Sequence, residues 1–316
     1  MKIVNIPLER ETLTGTFCNT DKPVARVESG DIIVCASLDG DWHLEKPETP
    51  RSDSGEFFKG RRRAEDWGHA LIGPIAVEGA KAGMVLKVEI LENRPAAWGW
   101  SRVGGGDAPH TRELGIHQEE EFFLNWDLNL EQMVGVSHMG HIVPLNPFLG
   151  VIGVAPGEAG RLSTHPPRAA GGNLDCRELV PGSALYLPVF CDEGLLYVGD
   201  GHAAQGNGEL GGTAIECPME RIVLRAEVCP ELHWSMPRAK TPEGWITFGF
   251  HEDLTRASYQ ALEEMVQLII ELYQVEKKEA LALTSLAVDQ RVTQIVNGVR
   301  GIHAVLPHGM VQKPFK

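Results

Sequence analysis

The chain has 316 residues, with 43 Asp and Glu against 29 Lys and Arg and a formal net charge of −14 at pH 7. That balance argues against a nucleic-acid backbone or an anionic membrane as partner and favours small neutral or cationic substrates. The opening MKIVNIPLERETLTGTF lacks the apolar run of a signal peptide and no stretch approaches the roughly 18 apolar residues of a membrane span, so a cytoplasmic protein is expected.

A chain of this length forms one large or two ordinary domains. The first 160 residues read as β-rich. The runs 25–27, 31–35 and 85–90 are β-branched or alternating and are separated by turn signals at 29–31 and 82–84. Short strands at that spacing predict a sandwich. Residues 39–66 are charged, contain Pro47 and Pro50 and show no sustained period, which predicts a long loop placed to lid a site or to meet another subunit. Residues 68–91 read as strand, turn, strand, with Pro74 at a strand edge. A second irregular region is expected around Trp98 and Trp100. Its glycines 104–106 are followed by no Lys-Ser or Lys-Thr and no helix is expected to open there, so no nucleotide cofactor is implied. His138 and His141 stand three apart, which on a helix would bring both to one metal. Gly140, Pro144 and Pro147 favour turn and strand histidines instead.

In the second half, Pro166 and Pro167 fix an extended entry, Gly171 and Gly172 permit a bend, and Asn173 and Asp175 share a side of a locally extended chain. The sequence around Ser183 lacks the flanking glycines of a nucleophile elbow. Residues 195–198 read as a buried strand that delivers Asp200 and His202 to its end. There begins GDGHAAQGNGELGGTAIE (199–216), in which Asp200, His202, Glu209 and Glu216 sit among six glycines. Such a run cannot build its own core. Acid and imidazole on a loop held by a rigid strand suit chemistry; the plainer reading is a long hairpin with Asp200 making turn bonds. From Glu252 the apolar residues Leu262, Met265, Val266, Ile269, Leu272 and Tyr273 follow helical spacing, with Asp253 or Thr255 as cap. A shorter helix over 278–287 and a hairpin turn at Asn297-Gly298 complete the chain. The six cysteines contain no C-x-x-C pair and read mostly as small buried apolar residues.

The expected fold is mainly β with an α+β C-terminal portion. It comprises a jelly-roll-like β-sandwich over 1–160 and a smaller mixed part over 161–316 that carries the glycine-rich acidic motifs and one long amphipathic helix.

In order along the chain, GPIAVEGA (73–80), PFLGVIGVAP (147–156), PPRAAGGNLD (166–175), GSALYLPV (182–189), the 199–216 stretch and TQIVNGVRGIHAVLP (293–307) together resemble the acetamidase/formamidase family. The resemblance runs from about Gly68 to Pro307. It implies hydrolysis of a short aliphatic amide, of the formamide or acetamide type, to ammonia and a carboxylate, by a homo-oligomer (dimer or higher). Asn207 stands where members commonly carry aspartate, and Gly211-Gly212 where a cysteine is often found; the changes remove a carboxylate and a thiol.

An amide carbonyl is a poor electrophile. Cleaving it takes a strong nucleophile, a stabilised oxyanion and a protonated leaving nitrogen. Asp175, Asp200, His202 and Glu216 would bind a divalent metal (zinc, manganese or calcium) that activates a water. Asp200 and His202 are the expected metal ligands, with Glu216 as general base and Asp175 beside it in the catalytic set. Asn173, Gln205 and the backbone of Gly171 and Gly172, or of Gly211 and Gly212, would bind substrate and oxyanion. A metal-free alternative uses Cys176 or Cys217 as nucleophile and His202 as base. Two further readings remain: a non-catalytic β-sandwich that binds a small ligand with its tryptophans, and a related hydrolase acting on a larger amide, carbamoyl or urea-like substrate.

Overall fold

A computed structural model describes residues 1–47 and 54–312. Its strands in chain order are β1 (Ile3–Asn5), β2 (Leu13–Thr14), β3 (Ala25–Glu28), β4 (Ile32–Ser37), β5 (Leu71–Glu78), β6 (Val85–Pro95), β7 (Trp98–Val103), β8 (Phe122–Asn129), β9 (Val134–Ser137) and β10 (Ile142–Pro144). They continue with β11 (Phe148–Val154), β12 (Gly171–Asn173), β13 (Ala184–Pro188), β14 (Leu196–Ala204), β15 (Ile215–Cys217), β16 (Met219–Cys229), β17 (Arg238–Lys240), β18 (Gly244–His251), β19 (Asp289–Gln294) and β20 (Arg300–Pro307). Three helices accompany them: α1 (Pro109–Glu113), α2 (Leu254–Tyr273) and α3 (Lys277–Ala287).

Two large sheets form the body, as the β-branched and alternating runs predict. One orders its strands β1-β4-β16-β6-β13-β17-β18-β20-β19; the other runs β10-β9-β8-β7-β15-β14-β11-β12, with β5 joined to β14 and carrying β2 and β3. Each sheet draws strands from both sides of residue 160. Ile33, Ile90, Leu185 and Leu224 of the first sheet and Ile72, Leu149, Ile152 and Val198 of the second enter one buried apolar cluster, so the main core lies between the sheets.

The amphipathic period of α2 buries Ala257, Ala261, Met265, Val266, Leu268 and Ile269. These join Ile302, Ala304 and Leu306 of β20 in a second core. The Asp253 side chain accepts the Arg256 N–H at 2.9 Å and caps the helix. Gly249 of β18 is what lets α2 lie so close, since a Cβ there would stand 2.0 Å from the Ala257 carbonyl oxygen. No helix among the described residues is long and apolar enough to cross a membrane.

Four local expectations need correction. The region around Trp98 and Trp100 is not irregular: it is β7, paired with β8 from Trp98 to Val103, and Trp100 is buried. A helix does open after the 104–106 glycines, although α1 is only five residues long. Pro74 is interior to β5. It falls between the β2 pairing, which ends at Ile72, and the β3 pairing, which begins at Ile75, where a residue without an N–H interrupts no ladder bond. Finally, β14 does not end before Asp200 but runs on to Ala204, so Asp200 and His202 lie inside a strand. Cross-strand bonding to β11 and β15 outweighs the glycine content of this segment. The expected loop at 39–66 contains no strand or helix over its described part, and residues 48–53 lie outside the described residues.

Candidate active site

The site arises where β14 changes neighbours. Along one edge it pairs with β5 through Gly199 and then with β15 from Gly201. On its other edge, the β11 register runs from Val151↔Gly199 to Leu149↔Gly201. Asp200 is the residue skipped on both sides, and its φ of 57° is left-handed. It faces Gly150 of β11. A Cβ at Gly150 would lie 2.6 Å from Asp200 Oδ2, 2.8 Å from His202 Cε1 and 2.9 Å from Asp175 Oδ1. Gly40 plays the same part from the loop after β4, where a Cβ would meet Asp200 Oδ1 at 2.5 Å. Two glycines therefore hold open the space into which three site side chains point.

Cross-strand register brings the next groups together. His202 of β14 is opposite Glu216 of β15, which is opposite Trp100 of β7. Glu216 Oε2 is 3.1 Å and Asp200 Oδ2 3.5 Å from His202 Nε2. The Ala214 N–H donates to Glu216 Oε1 at 2.9 Å and fixes that carboxylate. Gln205 spans two site groups: its Nε2 donates to the Asp175 carbonyl, and its Oε1 meets His202 Nδ1, both at 2.9 Å. His202 Nδ1 therefore carries a proton, and Nε2 is the nitrogen aimed at the two carboxylates.

Asp175 follows β12 with a φ of 50°. Asn297, in the turn between β19 and β20, donates to its Oδ2 at 2.7 Å. Asp175 Oδ1, Glu209 Oε2 and Asn173 Oδ1 are buried atoms with no hydrogen-bond partner among the described residues. The Asn173 amide nitrogen donates to the His165 carbonyl at 3.0 Å. Thus Asn173 and Asp175 do meet on one side, though a left-handed residue rather than a continuous strand brings them there.

Electrostatics separate the acids. Burial, augmented by the neighbouring Asp200 charge, pushes the Asp175 carboxyl up to about 7. Burial and the charge of Asp175 raise Glu209 well above the usual carboxylate range. Burial acts the same way on Asp200, but His69 and His202 outweigh it and hold Asp200 below its ordinary value. For His202, burial disfavours the cation while Glu216 and Asp200 more than compensate, leaving it well above the ordinary value. Four buried carboxyl groups thus converge on one imidazole. The ligand atoms of Asp175, Asp200 and His202 lie within 4.8 Å of one another, as do those of His202, Glu209 and Glu216.

A cavity of about 110 Å³ opens onto these groups, and Asp41, His69, Trp100, Arg102, His165, Gly212, Thr213 and Asn297 complete its wall. Of the residues singled out in the sequence, Asn173, Asp175, Asp200, His202, Glu209, Gly212 and Glu216 line it, and Gly211 does not. Gly171 and Gly172 do not. The Gly171 N–H is taken by the Arg168 carbonyl at 2.9 Å, and a Cβ at Gly171 would lie 2.6 Å from the Ile152 carbonyl oxygen, so this glycine serves the close approach of β12 to β11. Gln205 lines a neighbouring cavity and orients His202. Cys176 and Cys217 are fully buried away from the cavity, and burial holds both thiols well above their ordinary value. A protonated thiol in a dry core is a poor nucleophile.

Fold and site together define a two-sheet β protein whose buried acid–histidine centre opens into a small polar cavity. Residues 157–310 match the Acetamidase/Formamidase family, a span that contains four of the six motifs, and the resemblance stands. A recombinant predicted acetamidase/formamidase from the thermophile Thermoanaerobacter tengcongensis has a similar structure, with a TM-score of 0.82 at 28% identity over 97% of this chain and 96% of that one. Acetamidase from Bacillus halodurans gives a TM-score of 0.83 at 27% identity, covering 96% and 97%. In sequence, a formamidase of Methylophilus methylotrophus is 28% identical over 192 residues, 45% of this chain and 47% of that protein. The chain thus spans about half the length of the curated relatives it matches.

Proposed function

We propose that the chain hydrolyses a short aliphatic amide, of the formamide or acetamide type, to ammonia and a carboxylate at the centre around Asp200. The observation that carries this reading is the buried Asp175 Oδ1, which has no hydrogen-bond partner among the described residues and faces Asp200 Oδ2 and His202 across the space left by Gly150. Two carboxylates and an imidazole that converge on a space two glycines keep open fit a divalent cation. Asp175, Asp200 and His202 would hold it. When bound, such an ion polarises a carbonyl and lowers the pKa of water toward roughly 7. Zinc, manganese and calcium all suit the donor set.

The chain's own residues supply the remainder. Glu216, fixed by the Ala214 N–H and with its other oxygen turned to the centre, takes the proton from the attacking water. Asn173 Oδ1 is an unused acceptor suited to the N–H of a primary amide. Glu209, whose carboxyl burial holds well above the usual carboxylate range, would donate to the departing nitrogen. The cavity of about 110 Å³ is well below the roughly 300 Å³ at the lower end of pockets for drug-sized ligands. That supports a small substrate over a larger amide, carbamoyl or urea-like one.

Ammonia release by Glu216→Gln and Asp200→Ala tests the assignment. Loss of the base should lower kcat by about 10²- to 10⁴-fold with bound metal retained, whereas Asp200→Ala should lose both metal and turnover. Full activity in either variant would remove that residue from the mechanism.

A further inference from the structure

A second group of possible ligands lies one residue beyond Asp175. The Cys176 sulfur, a Glu178 carboxylate oxygen and a His303 ring nitrogen lie within 4.8 Å of one another. We propose that these three residues form a separate zinc site, distinct from the carboxylate-rich centre.

Distances support it first. Cys176 Sγ is 3.4 Å from Glu178 Oε2, and Glu178 Oε2 is 3.4 Å from His303 Nε2. Zinc bonds of about 2.3 Å to sulfur and about 2.0 Å to nitrogen or oxygen, set at tetrahedral angles, give ligand-to-ligand edges of about 3.3–3.5 Å. Both edges already have that length. His303 is fully buried, and its Nε2 has no well-aligned hydrogen-bond partner among the described residues.

The surroundings orient these ligands as outer partners orient metal ligands. Thr293 Oγ1 meets His303 Nδ1 at 2.8 Å, which leaves Nε2 directed at the group. Arg291 donates to Glu178 Oε1 at 2.9 Å and also pairs with Glu243. The charges then balance. Arg291 and Glu243 cancel, and a dication would be neutralised by the Glu178 carboxylate and a Cys176 thiolate, whose proton passes to solvent on binding. Sulfur with imidazole selects zinc over calcium or magnesium. A cavity of about 410 Å³ lined by Glu178, Asn207 and Arg291 gives an entry path. Occupancy would tie the segment that carries Asp175 to β20, and it is independent of the amidase reading.

Cobalt titration of the chelator-stripped full chain reads this site, because only a thiolate ligand gives a sulfur-to-cobalt charge-transfer absorption. The wild type should develop that band to saturation by two equivalents, since the Asp175, Asp200 and His202 centre also takes cobalt, and zinc should abolish it. Cys176→Ser and His303→Gln should each lack it while keeping the wild-type far-UV circular dichroism, and Cys191→Ser should retain it. A wild type without the band, or a band that survives in folded Cys176→Ser, overturns the proposal. The wild-type titration decides even where a variant fails to fold, and failure of amide hydrolysis leaves the band unaffected.

Discussion

At Asp175 the chain places a carboxyl where water does not stabilise its charge. Asn297 satisfies one oxygen, and burial pushes the group up to about 7 from an ordinary value of 3.8. The sign follows from proton linkage. In the folded, metal-free protein the carboxyl keeps its proton up to about pH 7, whereas in the unfolded chain it ionises near 3.8. Its stabilising contribution is full below about pH 4 and is lost as pH rises through 7. Thermal melts of chelated protein should therefore show the wild type losing stability relative to Asp175→Asn across that window. Parallel curves for the two would contradict the raised value. The same residue shows what the sequence conveyed. Asp175, Asp200, His202 and Glu216 were legible because acids and an imidazole stood out among glycines in ordered motifs. His69 and Asn297 were not, because each is a single polar residue beside a strand or in a turn whose partner lies far along the chain.

At the scale of elements, the strand that carries the centre was half legible. The apolar run at 195–198 announced its start. Its continuation through Asp200 to Ala204 did not, because glycine-rich sequence reads as loop until β11 and β15 supply the bonds that hold it extended. β7 was missed for the same reason: tryptophans and glycines look irregular until β8 pairs with them. The helix α2 was fully legible, since its period and its Asp253 cap are local. What its sequence did not convey is how closely it packs on β18 at Gly249. Gly249→Ala would place a methyl 2.0 Å from the Ala257 carbonyl oxygen and 2.6 Å from the Ala261 nitrogen, both backbone atoms. Overpacking of this kind costs about 1–3 kcal/mol. Denaturant unfolding should show a loss in that range, with the metal content of the folded protein unchanged. A variant as stable as the wild type would mean that α2 shifts without cost.

For the whole molecule, two sheets were foreseeable from short β-branched runs, but their interleaving was not. Strands from either side of residue 160 share both sheets, because pairing depends on contacts between distant segments that no local pattern records. The site is the product of that interleaving. β14 and β15 bring Asp200, His202 and Glu216, the segment after β12 brings Asp175, and the β19–β20 turn brings Asn297. The most direct measurement is ammonia release from formamide, acetamide and propionamide by the purified protein, as prepared, after chelation, and after zinc, manganese or calcium is restored. Turnover that falls on chelation and returns with one of these ions is the predicted result. Ammonia release unchanged in a chain shown to be metal-free would contradict the metal-assisted account, and no ammonia from any of the three amides would contradict the assignment to short-amide hydrolysis.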